Sequence, residues 1–301
     1  MELVLQTSGL TKKYGKQIAV NNVDLNIEKG DIYGLIGKNG AGKTTIMKIV
    51  CGLVYQDQGD IQLFESGDLQ KNRKRIGCVI EQPALYPDMT AGENLIYYDK
   101  LIGITDYDNV DEVLSLVGLK NTGRKKTKAF SLGMKQRLSI AISLLGNPDF
   151  LILDEPINGL DPSGIREIRE LLLKLNSENE ITILISSHIL GELAKIATKY
   201  GIINKGVLVD EFQAVELEER CKKCLAIVAD DPERAAYILK NNMGSADFKV
   251  FDEGKICIYD CMNIPEQINR ELVENGVLVS KICMEGNDTE AYFLKMMGGN
   301  Q

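Results

Sequence analysis

Residues Gly37-Lys38-Asn39-Gly40-Ala41-Gly42-Lys43-Thr44 spell G-x-x-x-x-G-K-[ST] directly behind the apolar run Asp31-Ile32-Tyr33-Gly34-Leu35-Ile36. Glycines 37, 40 and 42 admit backbone conformations that a Cβ resists, so successive N–H groups turn inward onto phosphate oxygens. Lys43 carries a full positive charge to the β- and γ-phosphates, and Thr44 offers a hydroxyl to Mg2+. Thr45 to Val50 continue as a helix whose N-terminus faces the anion. The loop is a triphosphate cradle, a device shared by kinases, GTPases, helicases and transport ATPases.

The partner chemistry lies more than a hundred residues on. Phe150-Leu151-Ile152-Leu153 is an apolar strand that delivers Asp154 and Glu155 at its C-terminal end, where ligands sit in open α/β sheets. Adjacent residues point to opposite sides, which suits Asp154 to hold Mg2+ and Glu155 to face the γ-phosphate as base or polariser of the attacking water. His188 is the single histidine of the chain and follows the next apolar run, Ile181 to Ser186, so it is placed to reach the same pocket.

These groups must be positioned by a parallel sheet. The runs 150–154 and 181–186 are apolar without alternation, as strands buried on both faces are, and a helix from Pro162 to about Asn179 joins them in a strand, crossover helix, strand unit. Before the cradle, Val4 to Gln6, Gln17 to Val20 and Val23 to Ile27 read as short antiparallel strands; after it come Gly59 to Phe64 and Ile76 to Gln82. Between Tyr86 and about Gly146 the spacing turns helical, with Val110 to Val117 amphipathic. Past Val209 the character changes: a linking helix (Val215 to Cys221), then strand 224–229, helix 233–241, strands 248–251 and 256–259, helix 266–275, strand 278–283 and a terminal helix 289–297. That βαββαβ order is the ferredoxin-like pattern.

At 301 residues the chain is long enough for a domain of about 200 residues and another of about 80. No apolar run approaches the roughly 18 residues needed to span a bilayer. Met1 to Gln6 lack a basic region and a small-residue cleavage site, so the chain is expected to stay in the cytosol. Net charge is −8, with no basic stripe interleaved with aromatics, which argues against gripping nucleic acid. Seven scattered cysteines read as reduced thiols; a zinc site from Cys221, Cys224, Cys257 and Cys261 is disfavoured, because Cys257 and Cys261 lie in a strand-like alternation.

Together these marks resemble the nucleotide-binding subunit of an ATP-binding-cassette transporter. Phe130-Ser131-Leu132-Gly133-Met134-Lys135-Gln136-Arg137 stands where that family carries its Leu-Ser-Gly-Gly-Gln signature, with Ser131 and Gly133 kept, Leu132 in place of the first Gly and Met134 in place of the Gln. A serine hydroxyl and the N–H groups opening a helix form an anion site. The resemblance implies an α/β P-loop fold: a RecA-like core, an antiparallel β-subdomain and a helical subdomain at about 86–147, within a nucleotide-binding domain 1–213. A linking helix 214–223 and an accessory α+β domain 224–301 complete it.

It further implies Tyr14 stacking on adenine, Gln82 linking Mg2+ to a membrane partner, Leu160-Asp161-Pro162 as the D-loop and His188 as the switch histidine. The ATP-binding set is then Tyr14, Gly37, Lys38, Asn39, Gly40, Ala41, Gly42, Lys43, Thr44 and Thr45, with Ser131 and Gly133. The Mg2+ set is Thr44, Gln82 and Asp154, and the catalytic set is Glu155, His188, Gln82 and Lys43. The signature faces away from its own cradle, so a homodimer, or a heterodimer with a paralogue, is expected to close over ATP. A separate multi-span permease would dock on the helical insertion, holding the chain at the inner face of the membrane. The spelling Ser-Leu-Gly-Met-Lys-Gln-Arg and the tail Thr289 to Leu294 are similar to bacterial bacitracin-resistance and lantibiotic-immunity exporter subunits. The alternative is a non-transport cassette ATPase with a regulatory or translation-associated role.

Overall fold

In the computed structural model, which describes residues 2–81, 85–251, 254–286 and 289–298, the chain opens with the long strand β1 (Leu3–Tyr14). It pairs antiparallel with β2 (Gln17–Val23) and β3 (Asn26–Glu28). Next, β4 (Ile32–Ile36) enters a different sheet, and β5 (Gln58–Leu63) returns to pair with β1. The sequence marks only Val4 to Gln6 as the first strand. It runs on to Tyr14 because Gly9, at φ 62°, accompanies an irregular register between Ser8 and Thr11 without ending the ladder. Conversely, Val23 to Ile27 is not one strand. Asp24 Oδ1 accepts from the Gly9 N–H at 2.6 Å and the Leu25 N–H donates to Thr7 Oγ1 at 2.8 Å, which breaks the run between β2 and β3.

The second sheet has six strands. β6 (Ile76–Val79), β7 (Phe150–Leu153), β8 (Thr182–Ser187), β9 (Lys199–Asn204) and β10 (Val207–Gln213) join β4 in the order β10-β9-β4-β8-β7-β6. All pairings are parallel except β9 with β10. β4, β7 and β8 are buried at every position, which is why their sequences lack alternation; each large apolar side chain so removed from water contributes about 1.5–3 kcal/mol. The β9–β10 hairpin is not anticipated by the apolar runs, although Lys205-Gly206, both at positive φ (48° and 82°), is the two-residue turn that could have announced it.

Between β6 and β7 the chain is helical, with Ala91–Ile102 opened by a Thr90/Glu93 capping box, then Val110–Leu116 and Leu132–Ser143. The crossover from β7 to β8 is the helix Pro162–Asn179, N-capped by Asp161 with proline in its first turn.

The described residues fall into two compact units, Met1–Ala214 with Phe293–Gln301, and Val215–Tyr292. In the second, β11 (Cys224–Ala229), β12 (Phe248–Val250), β13 (Lys255–Ile258) and β14 (Val279–Glu285) form an antiparallel sheet ordered β12-β13-β11-β14. The helices Pro232–Asn241 and Pro265–Glu274 complete the βαββαβ order. Leu225, Ile227, Ile256 and Ile258 share a core with Ala235, Ile238, Ile268 and Leu272 from those helices. The end of the chain departs from the expected 224–301 domain, because Phe293 groups with the first unit. Its fully buried ring lies 5.5 Å from that of Tyr200 and 6.4 Å from that of Phe212. An aromatic ring withdrawn from such a cluster leaves a cavity. Phe293→Ala is therefore expected to lower the stability of the first unit by about 3–5 kcal/mol in calorimetric or denaturant unfolding. An effect below about 1 kcal/mol would contradict this anchoring.

Candidate active site

The phosphate loop runs from the end of β4 to the helix Lys43–Val50. Its glycines act for different reasons. Gly42 has φ 114°, and a Cβ there would also meet the Ala19 carbonyl oxygen at 2.6 Å. Gly40 has φ 78° but open space around it. At Gly37 the requirement is purely one of room, since a Cβ would lie 2.6 Å from the Ile203 carbonyl oxygen. The loop is therefore held against both sheets.

Lys43 is buried, donates to the Gly37 carbonyl at 2.6 Å, and lies 3.4 Å from Glu155 Oε1. Thr44 Oγ1 donates to Asp154 Oδ2 at 2.6 Å. β7 ends at Leu153, so the different partners of Asp154 and Glu155 come from a turn and not from strand alternation: Glu155 takes φ 51°. Such a left-handed conformation costs a non-glycine residue about 1–2 kcal/mol, and it is offset by local hydrogen bonds. One is the donation from the Glu155 N–H to Ser186 Oγ at 2.8 Å. Ser186 Oγ in turn donates to Asp154 Oδ1 at 2.6 Å. His188, just beyond β8, has Nδ1 2.6 Å from Glu155 Oε2; with an ionised carboxylate as acceptor, the imidazole proton sits on Nδ1. Glu155 Oε1 is buried without a hydrogen-bond donor among the described residues.

A cavity of about 310 Å³ is lined by Lys43, Thr44 and Glu155 together with Tyr14, Gln17, Ala19, the loop residues Asn39 to Gly42, and Thr45; Asp154, Ser186 and His188 stand behind this lining. Tyr14 is half exposed at the end of β1. Hard oxygen donors from Thr44 and Asp154, side by side at the loop, suit Mg2+ in their chemistry. Gln17, Ala19 and Ser186 were not flagged by the sequence, because each reaches the site only through strand pairing. Lys38 contributes its carbonyl, 3.4 Å from Lys43 Nζ. Gln82 lies outside the described residues.

Ser131 and Gly133 do not line this cavity. Ser131 caps the helix Leu132–Ser143, accepting from the Met134 N–H at 3.3 Å. Leu132 occupies the first helical position, half exposed, with its side chain toward Gly159. Replacement of the signature's first glycine thus leaves an ordinary helix start.

The family described as ABC transporter matches residues 20–158. The bacitracin transport ATP-binding protein BcrA of Bacillus licheniformis is 42% identical over 303 residues, covering 99% of each chain. The lantibiotic transport ATP-binding protein SrtF of Streptococcus pyogenes is 46% identical over 209 residues, covering 69% of this chain and 90% of SrtF. Among solved structures, the dimeric post-hydrolysis ATP-binding cassette MJ0796 bound to ADP and Pi superposes with a TM-score of 0.62 at 27% identity, covering 70% of this chain and 98% of that one.

The two positive-φ glycines separate backbone strain from collision. Gly40→Ala is expected to cost about 1–2 kcal/mol, the strain alone, and to keep nucleotide binding in a fluorescent-ATP titration. Gly42→Ala adds an overpacking cost of about 1–3 kcal/mol and is expected to abolish binding. Equal behaviour of the two variants would contradict the steric assignment.

Proposed function

Because the chain belongs to the ABC transporter family, we propose that it is the motor subunit of an exporter, binding and hydrolysing ATP to drive a separate membrane permease. It is an ATP hydrolase of the transport class. The observation that carries the reading is the convergence of Lys43, Thr44, Asp154, Glu155 and His188 at the C-terminal ends of three adjacent strands.

In this reading Tyr14 stacks on adenine, and the N–H groups of Gly37 to Thr45 with Lys43 hold the phosphates. Thr44 and Asp154, with Gln82, would hold Mg2+, which would supply charge neutralisation for the phosphates. Glu155 polarises the attacking water, with its Oε1 buried and 3.4 Å from Lys43 Nζ at the phosphate loop. His188 fixes the other carboxylate oxygen through Nδ1. Ser131 and Gly133 close over the triphosphate of a second ATPase subunit, either an identical chain or a paralogue. The helical segment 86–147 and Gln82 transmit closure to a multi-span permease. In this reading the chain works at the cytoplasmic face of the membrane, held there by the permease. No described helix is long and apolar enough to cross a membrane. The transported class is a peptide antibiotic, in a resistance or immunity role, by analogy with the names of BcrA and SrtF.

Glu155→Gln is expected to retain ATP, to elute as a dimer when ATP is present, and to lose turnover by about 10²–10⁴-fold. A monomer carrying bound ATP would contradict the dimeric mechanism. Co-purification from native membranes should bring down a multi-span protein, and a chain recovered alone would count against the permease.

A further inference from the structure

We propose that Ser186 is a positioning residue that sets the metal-holding carboxylate and the water-polarising carboxylate with a single hydroxyl; the inference rests on the roles proposed above for Asp154 and Glu155. Ser186 lies in β8, fully buried, paired with Leu35 of β4 and one strand away from β7. Its Oγ donates to Asp154 Oδ1 at 2.6 Å and accepts from the Glu155 N–H at 2.8 Å. A hydroxyl has one proton. Donating it to Asp154 leaves only lone pairs for Glu155, so the two bonds are mutually consistent in one orientation.

The consequences for the two neighbours differ. Asp154 is held at both oxygens from two different elements, Oδ1 by Ser186 and Oδ2 by Thr44. That fixes the plane of its carboxylate and directs the Oδ2 edge toward the Thr44 hydroxyl, where the two oxygens would present themselves to a cation. Glu155 is held at its backbone. The N–H bond supports the left-handed φ of 51° that turns its side chain toward Lys43 and His188. Neither bond touches nucleotide directly, so Ser186 acts through the residues it holds. Outer-shell partners of this kind commonly govern metal affinity by about 10–100-fold. Ser187, next along β8, does a separate job: its Oγ accepts from the Ile189 N–H at 2.9 Å, beyond His188.

The test compares Ser186→Thr with Ser186→Val, which share a shape and differ in the hydroxyl, using ATP binding with Mg2+ and with chelator on the full chain. Thr44→Ala serves as control. The proposal expects Ser186→Thr to keep the magnesium-dependent gain in ATP affinity within about threefold of the unsubstituted protein. Ser186→Val is expected to lose it by about 10–100-fold while binding metal-free ATP as before. A packing defect would depress both substitutions together, and this outcome overturns the proposal. If Thr44→Ala loses the gain and Ser186→Val keeps it, the proposal falls while the metal reading stands. If the unsubstituted protein shows no magnesium-dependent gain, both fall. Should the valine variant fail to fold, Ser186→Ala provides the same comparison against threonine.

Discussion

The Asp154 carboxylate is the joint on which the rest of the site depends. One oxygen accepts from Thr44 on the phosphate loop and the other from Ser186 on β8, each at 2.6 Å, so an acidic side chain at the end of β7 ties three segments far apart in sequence. Charge-assisted hydrogen bonds are short and roughly twice as strong as neutral ones, which lets a single carboxylate hold a loop that carries glycines at positions 37, 40 and 42. The convergence of the proposed catalytic groups then follows from adjacency in the sheet. β4 carries the loop, β7 the two carboxylates and β8 the serine and histidine, and β8 stands between the other two.

This arrangement also explains an apparent extravagance in the fold. Glu155 occupies a strained backbone conformation, and in it the side chain meets Lys43 and His188. Two neighbouring carboxylates are thereby given different partners. The surroundings are rigid because β4, β7 and β8 are buried at every position. A site built on such strands holds its geometry better than one built on loops.

What could be read from the sequence is what depends on local spacing. The loop glycines, Lys43 and Thr44, the strand before Asp154 and the proline-opened helix at Pro162 all rest on neighbours a few residues away. The βαββαβ order of the second unit was legible for the same reason. The misses share a tertiary cause: β1 continues through Gly9 because three partner strands sustain it, and Phe293 is drawn into a cluster with Tyr200 and Phe212 instead of ending the second unit. Ser186 is the instructive case. As a serine in an apolar run it looks like a strand end, and only the register of β7 beside β8 reveals two hydrogen bonds of opposite direction.

In the reading proposed above the cradle is half of a composite site, and in the homodimeric form the other half is the helix start at Ser131 and Gly133 of a second copy. The most direct test mixes two separately prepared chains, Lys43→Ala and Gly133→Asp, and measures ATP turnover against each alone. A mixed dimer contains one intact cradle facing one intact helix start, so turnover is expected to appear on mixing where both parents are inactive. A Gly133→Asp chain that hydrolyses ATP normally by itself, or a mixture no more active than its parents, would contradict the composite site.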